Sequence, residues 1–402
     1  MKILQINTTF QRGSTGRIAS NISSLLDSKG IENYIIYTKY LGRINDSKAI
    51  YCGNSIIQKI NSLISHIFGC LGFEDWLVTT KVLKIIKRIN PTLVHLHNIH
   101  SHNINIKKLF KYLQNKKIQV VWTFHDCWAF TGYCMHFDYI QCEKWKSICS
   151  KCPQFKCFSY MFDFSKRVFL KKKTIYSSFD MTIVTPSNWL ANLVKKSFLG
   201  KCDVEVINNG INLDVFRPTP SNIREKYNIS SNAYVLLGVS FGWNNRKGLD
   251  VFINLAKTLP TNYQIVLVGV GKSNKRSLPS NIISLQKTHN QKELAELYSA
   301  SDLFVNPTRE DTFPTVNMEA LACGTPVLTF RTGGSPEIVD GTCGSVVERD
   351  DIDSLTSEII RICTSKCYSR ENCLLRASSF DEKKLFSSYV DLYMKLVNAI
   401  VR

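Results

Sequence analysis

No stretch of the 402-residue sequence approaches the roughly 20 uninterrupted apolar residues that a membrane-spanning helix needs. Its opening, MKILQINTTF, also lacks the basic-then-apolar layout of a secretory leader. Both absences predict a protein that stays in the cytoplasm. Acidic residues are scarce in the first half. Residues 1–200 carry 28 Lys and Arg against 10 Asp and Glu, a net +18, whereas residues 201–402 carry 23 against 22, a net +1. The imbalance points to an anionic partner of the first half, either nucleic acid or a membrane surface with anionic headgroups, unless the lysines simply solvate that face. A third absence is the G-x-G-x-x-G turn after the first strand, where RGSTGR (12–17) stands instead; this argues against a dinucleotide-dependent oxidoreductase.

What the chain does have is the grammar of two α/β domains, as its length leads one to expect. KILQIN (2–7) reads as a buried strand, TTFQRGSTGR as a glycine loop, and the run from Ile18 to Leu26 as an amphipathic helix. Strand-then-helix recurs through YIIYT (34–38), TLVHLHNI (92–99), IQVVWTFHD (118–126) and MTIVTPS (181–187). It restarts after the Asn-Gly and Pro punctuation of 206–221, with strands at 234–240, 263–270, 282–286, 303–308 and 326–330. Alternation of this kind predicts parallel, doubly wound sheets with ligands at the carboxyl ends of the strands. The expected division is 1–210, 211–377, and a terminal helical segment, 378–402, that packs back on the first domain.

The stretch REDTFPTVNMEALACGTPVLTFRTGGSPE (309–337) follows a strand and crowds acids, a helix start and two glycine turns together. TVNMEALACG reads as a helix capped by Thr315 and closed at Gly324. The unpaired N–H groups of its first turn suit a phosphate, and the amides of Gly333 and Gly334 form a second cradle. Asp311 and Glu319, eight positions apart, supply carboxylates that accept hydrogen bonds from sugar and ribose hydroxyls. Glu319 taken alone is equally well a helix-surface or capping acid.

These residues resemble the acidic-x7-Glu signature of the retaining glycosyltransferases of family 4. The resemblance extends through HLHNIH, HDCWAFTGYCMHFDYIQCEKW, VTPSNWL, INNGINLDVF and RKG to a bacterial surface-polysaccharide subgroup. It implies a GT-B fold, that is, two facing Rossmann-like domains with a deep cleft between them. It implies a hexosyltransferase that moves a sugar from a nucleotide sugar, UDP-linked, to a saccharide acceptor, lipid-linked, in O-antigen, capsule, exopolysaccharide or lipopolysaccharide synthesis. It implies that the anomeric configuration is retained and that no cofactor is required for catalysis, and nucleic acid is not expected as a partner. The expected localisation is cytoplasmic and peripheral, on the inner face of the cytoplasmic membrane.

The resemblance also distributes roles. Glu319 takes the ribose, Asp311 the donor sugar, Lys247 the diphosphate, and His125 a position near the sugar; Gly13 and Gly16 form the turn closing on the diphosphate. Two departures stand out. Asp311 is shorter than the family's Glu, which makes Glu310 a candidate substitute, and the family's upstream Gly-Arg pair is replaced by GVSFGW, which leaves that charge to Arg246 or Arg17.

Two further features sit outside this scheme. Cys134, Cys142, Cys149 and Cys152 have the spacing C-x7-C-x6-C-x2-C in one loop, which suits a structural zinc or ordinary buried cysteine. Combined with the basic first half, they prompt the rival reading of a nucleic-acid-binding protein with a zinc module. Against it, the charge is not organised around stacking aromatics. The second feature is IIQKINSLISHIFGCLGF (56–73), which places apolar residues on one helical face, as a core helix or a membrane-surface helix does.

Overall fold

The computed structural model describes residues 1–42, 44–100 and 102–401. It divides into two compact units: Met1–Asn208 together with the segment from Lys383 onwards, and Asn209–Glu382.

The first unit is built on seven parallel strands, β1 (Lys2–Asn7), β2 (Glu32–Tyr37), β3 (Ala49–Tyr51), β4 (Leu93–Leu96), β5 (Gln119–Thr123), β6 (Thr182–Thr185) and β7 (Asp203–Val206), in the order β3-β2-β1-β4-β5-β6-β7. Its helices are α1 (Gly13–Ser28), α2 (Ser55–Phe68), α3 (Trp76–Ile89), α4 (Ile106–Asn115), α5 (Ser165–Tyr176) and α6 (Asn188–Lys196). Helices on both faces bury the central strands completely, which is why LVHL in β4 and TIVT in β6 are inaccessible at every position.

The second unit has six parallel strands, β8 (Tyr234–Val239), β9 (Tyr263–Val268), β10 (Ile282–Leu285), β11 (Leu303–Asn306), β12 (Val327–Phe330) and β13 (Gly344–Val347), ordered β10-β9-β8-β11-β12-β13. Its helices are α7 (Ile223–Lys226), α8 (Leu249–Thr258), α9 (Lys272–Lys275), α10 (Gln291–Ser299), α11 (Thr315–Ala322), α12 (Ile352–Ser365) and α13 (Arg370–Ser378). The terminal helix α14 (Glu382–Val401) belongs with the first unit. Its Phe386, Tyr389, Val390 and Tyr393 recur at helical spacing and pack on Ile3, Leu93, Val121 and Val184 of the first sheet.

In each unit the strand order reverses at one point, between β1 and β4 and between β8 and β11, and there the loops after neighbouring strands diverge and leave a crevice. The loops carrying Lys247 and Asp311 leave β8 and β11, and the loop carrying Gly13 leaves β1. Among the described residues no helix is long and apolar enough to cross a membrane.

Candidate active site

In the second unit, the residues singled out by sequence converge. Arg246 and Lys247 close a single helical turn, Asn245–Lys247, whose start is capped by the Asn244 side chain accepting from Lys247 N at 3.1 Å. Lys247 Nζ donates to Asp311 Oδ2 at 2.7 Å, and Arg246 Nη1 stands 4.0 Å from the buried Glu310 carboxylate. Glu310 therefore faces Arg246, while the shorter Asp311 holds Lys247. Gly333, at φ +54°, lies so close to this loop that a Cβ would fall 1.7 Å from Asp311 O. Any side chain there would push the loop away. Gly334 N then donates to Asp311 O at 3.1 Å.

Two corrections concern α11. Thr315 is the first residue inside the helix, not its cap. Pro314 holds the capping position, and no side chain caps this helix start. The consequence favours an anion, because no side-chain oxygen competes for the first-turn N–H groups, of which Asn317 N already donates to Pro314 O at 3.2 Å. Glu319 is not a surface acid either. It is only 7% exposed and accepts from Tyr298 OH at 3.1 Å. Burial first, and then the neighbouring Glu319 charge, hold the Tyr298 phenol well above its ordinary range, so it stays a donor.

Arg309, which opens the quoted stretch, has no role in the sequence-based scheme. Its guanidinium grips Asp250 in a two-pronged pair at 2.8 Å on each arm, reaches Asp350 Oδ1 at 2.6 Å, and donates to Asn245 O. Its backbone N–H donates to Arg246 O at 2.9 Å. The turn bearing Lys247 is thus fastened to the loop bearing Asp311 by an arginine that itself stays largely buried. The available signal was Asp250, three positions after Lys247.

In the first unit, Gly13 begins α1 with φ +69°, and Gly16 sits where a Cβ would fall 2.7 Å from Thr9 Oγ1, so the loop after β1 packs tightly on the helix start. Arg17 is exposed on α1. His125 follows β5 and ends a buried chain of hydrogen bonds. Gln5 Nε2 donates to Ala19 O at 3.0 Å, which turns Gln5 Oε1 toward His97 Nε2, also at 3.0 Å. His97 therefore carries its proton on Nε2, leaving Nδ1 to accept from His125 Nε2 at 3.2 Å. Burial first, and then the neighbouring His95 and His125, hold His97 far below its ordinary range. His125 is lowered to about 4, mainly by burial. Both rings are neutral at pH 7. Neither Gln5 nor His97 was predicted as part of the site. A buried glutamine in a core strand was the signal.

The four predicted zinc ligands all line one cavity of about 10 Å³, room for a single water-sized sphere. Yet among the described residues no group of three or more His, Cys, Asp or Glu side chains is arranged to hold a metal ion. The Cys134 thiol instead hydrogen-bonds the Cys152 sulfur, which raises Cys134 and lowers Cys152, while Cys149 Sγ accepts from Gly132 N at 3.3 Å. This arrangement of paired contacts does not fit the zinc expectation. What fastens the loop is Lys172, fully buried, with Nζ 3.5 Å from the centre of the Trp128 ring and donating to the carbonyls of Trp128 at 2.7 Å and Thr131 at 3.2 Å.

The family described as Glycosyltransferase Family 4 matches residues 15–215, and the one described as Glycosyl transferases group 1 matches residues 233–365. The Escherichia coli K12 protein that carries the name colanic acid biosynthesis glycosyl transferase WcaC is 21% identical over 98% of this chain and 100% of its own length. Among solved structures, sucrose-phosphate synthase from Thermosynechococcus elongatus superposes with TM-score 0.71 at 17% identity, covering 99% of both chains. HepE of Anabaena, solved with UDP-glucose, does so with TM-score 0.64 at 16% identity, covering 98% of this chain and 100% of that one. Two doubly wound units of the GT-B type and family matches spanning both of them converge on one assignment: the chain is a glycosyltransferase and belongs to family 4.

Proposed function

We propose that the protein transfers a sugar from a UDP-linked donor to a saccharide acceptor carried on a lipid, at the inner face of the cytoplasmic membrane, in the assembly of a surface polysaccharide. The observation that carries this is the grouping, within the second unit, of the Lys247–Asp311 pair, the uncapped start of α11 and the buried Glu319. A nucleoside diphosphate needs these three things: a cation, oriented N–H groups, and an acceptor for its ribose hydroxyls. The UDP-glucose held by HepE and the name borne by WcaC support the donor and the pathway class.

In this scheme Glu319 accepts from the ribose diol and Tyr298 fixes its orientation. The phosphates lie against the N–H groups at Thr315; the Gly334 N–H, already given to Asp311 O, is not part of this cradle. During transfer the bond between the anomeric carbon and the β-phosphate oxygen breaks, and a bond to the acceptor hydroxyl oxygen forms on the same face. The hydroxyl proton passes to the departing phosphate. Charge therefore accumulates on the diphosphate, where Lys247 and Arg246 offset it. Asp311 accepts from a hydroxyl of the sugar, and neutral His125 is a second hydrogen-bonding group for that sugar. With two side-chain cations supplying the charge, transfer is expected to need no added divalent ion.

A panel of nucleotide sugars, assayed for hydrolysis or transfer with the purified protein in EDTA, tests this directly. UDP should raise the melting temperature and oligonucleotides should not. Stabilisation by oligonucleotides alone would favour a nucleic-acid-binding protein instead.

A further inference from the structure

Helix α2 is inside out. Its residues Ile56, Ile60, Leu63, Ile64, Ile67 and Phe68 are exposed, Ile56 at 70% and Phe68 at 59%, whereas the buried residues of the helix are the polar Asn61 and Ser65. A helix that served the core would bury the opposite face. The apolar surface continues beyond α2. Tyr160 N donates to His66 O at 2.8 Å and the Tyr160 ring stacks on His66 at 5.0 Å, which brings the exposed Tyr160, Met161 and Phe162 beside the end of the helix. On its other side, Asn61 reaches His102 O at 3.5 Å and His102 pairs with Glu74 at 2.7 Å, so the exposed Trp76 and Leu77 of the next helix lie close by.

Charge around this surface is predominantly basic. The sequence has no acid between Asp46 and Glu74, and from Lys151 to Lys173 it has six Lys and Arg besides the buried Lys172 against a single acid, Asp163. Asp163 is turned inward, accepting from Cys152 N and Ser165 N at 2.7 and 2.8 Å. Lys171 Nζ lies 5.2 Å from the centre of the Phe73 ring and Lys108 Nζ 5.0 Å from that of Trp76, so cations rim the apolar residues. Exposed Lys156, Lys166 and Arg167 flank the aromatic loop. Aliphatic and aromatic side chains with a predominantly basic rim match a bilayer whose headgroups are anionic. A second copy of the chain fits poorly, because pairing this face with itself would oppose cations to cations.

We infer that α2 and the 160–162 loop form a membrane-seating surface, with their apolar side chains inserted among lipid tails and the basic rim on anionic headgroups. This deepens the proposed function by placing the first unit on the surface that carries the acceptor. It rests on that proposal only for its purpose, since lipid binding is measured without donor or acceptor.

The test is sedimentation of the full chain with vesicles of phosphatidylglycerol and phosphatidylethanolamine, and with phosphatidylcholine alone. Binding should require the anionic lipid and weaken as salt rises. Leu63→Glu combined with Phe162→Glu should reduce partitioning at least tenfold, and Lys166→Glu with Arg167→Glu should reduce it and flatten its salt dependence. UDP affinity, measured on the same variants, should stay at the wild-type value, which separates loss of seating from loss of fold and from failure of the glycosyltransferase reading. No binding to anionic vesicles at low salt overturns the inference, as does binding that both double variants retain. A wild-type dimer that Leu63→Glu dissociates would assign the face to a second copy and overturn it too.

Discussion

Lys247 Nζ and Asp311 Oδ2 stand 2.7 Å apart, so the cation assigned to the diphosphate and the carboxylate assigned to the sugar hold each other within the second unit. The pair pre-sets both side chains, and Arg309 fixes the backbones beneath them. It also means that the donor has to share Lys247 with Asp311. Neutralising the acid should therefore strengthen the hold on phosphate even as it weakens the hold on the sugar.

Lys247→Ala should lower kcat by on the order of 10² with a smaller change in KM, because the lysine matters most as the diphosphate leaves. Lys247→Arg should restore only part, since a planar fork replaces a point charge. Asp311→Asn should tighten UDP and slow transfer. Steady-state kinetics with UDP calorimetry checks all three. Wild-type turnover in the alanine variant would move the charge to another residue.

Glu319→Gln and Glu319→Ala should behave differently because Glu319 is buried. The glutamine keeps the shape and an oxygen for Tyr298, so the melting temperature should hold while UDP affinity falls at least tenfold, about 1.4 kcal/mol. The alanine leaves the Tyr298 hydroxyl unpaired and should destabilise the second unit by about 1–3 kcal/mol as well. Equal UDP affinity in the wild type and the glutamine variant would remove Glu319 from the ribose.

The contrast between Glu319 and α2 marks what the sequence made legible. Alternating strands and helices were readable because each central strand is a run of apolar residues, and ten of the thirteen strands appear in the sequence reading. The missed ones, AIY, DVEV and GSVV, are short strands at the sheet edges, where partial exposure erases the apolar run. Motif spacing singles out Asp311, Glu319 and Lys247, but spacing carries no burial, so it leaves Glu319, at 7% exposure, open between a ribose ligand and a helix-surface acid. Periodicity found the apolar face of α2 without saying which way it turns. Lys172, one of the 28 Lys and Arg in the basic first half, is fully buried, because the loop it fastens comes from 40 residues earlier in the chain.

Acid should destabilise the first unit well above the carboxylate range. Burial is the leading cause that holds His95 and His97 far below the ordinary histidine range, so in the folded chain they stay neutral. Unfolded histidines take up protons as pH falls below about 6.5, which favours the unfolded state. Stability from these groups is thus complete above about pH 7 and lost on acidification, by up to about 1.4 kcal/mol per pH unit for each histidine. Asp126, whose carboxyl is raised by burial but brought to about 2 by His100, His136 and the Trp128 N–H together, loses its contribution only at lower pH. Five of the six tryptophans lie in the first unit, so fluorescence reports it. The urea midpoint should decline from pH 7 to pH 5. A flat midpoint over that range would show the histidines titrating normally.

Gln5 touches no donor or acceptor in the proposed scheme, yet it sets the hydrogen-bond direction of His125 through His97. With Gln5 Nε2 committed to Ala19 O, its oxygen accepts from His97 Nε2, His97 Nδ1 accepts from His125 Nε2, and the proton of neutral His125 resides on Nε2. Gln5→Met removes the acceptor at similar volume, so His97 is free to reverse its tautomer and His125 with it. Gln5→Glu still accepts from His97 Nε2 and should preserve the order. Long-range 1H–15N correlation spectra should show the Nε2–H tautomer of His125 in the wild type and Gln5→Glu, and a mixture in Gln5→Met. Turnover should fall several-fold in Gln5→Met while UDP affinity stays constant, because the sugar loses a correctly oriented partner and the nucleotide loses nothing. A His125 protonated on Nδ1 in the wild type would break the chain at its last link.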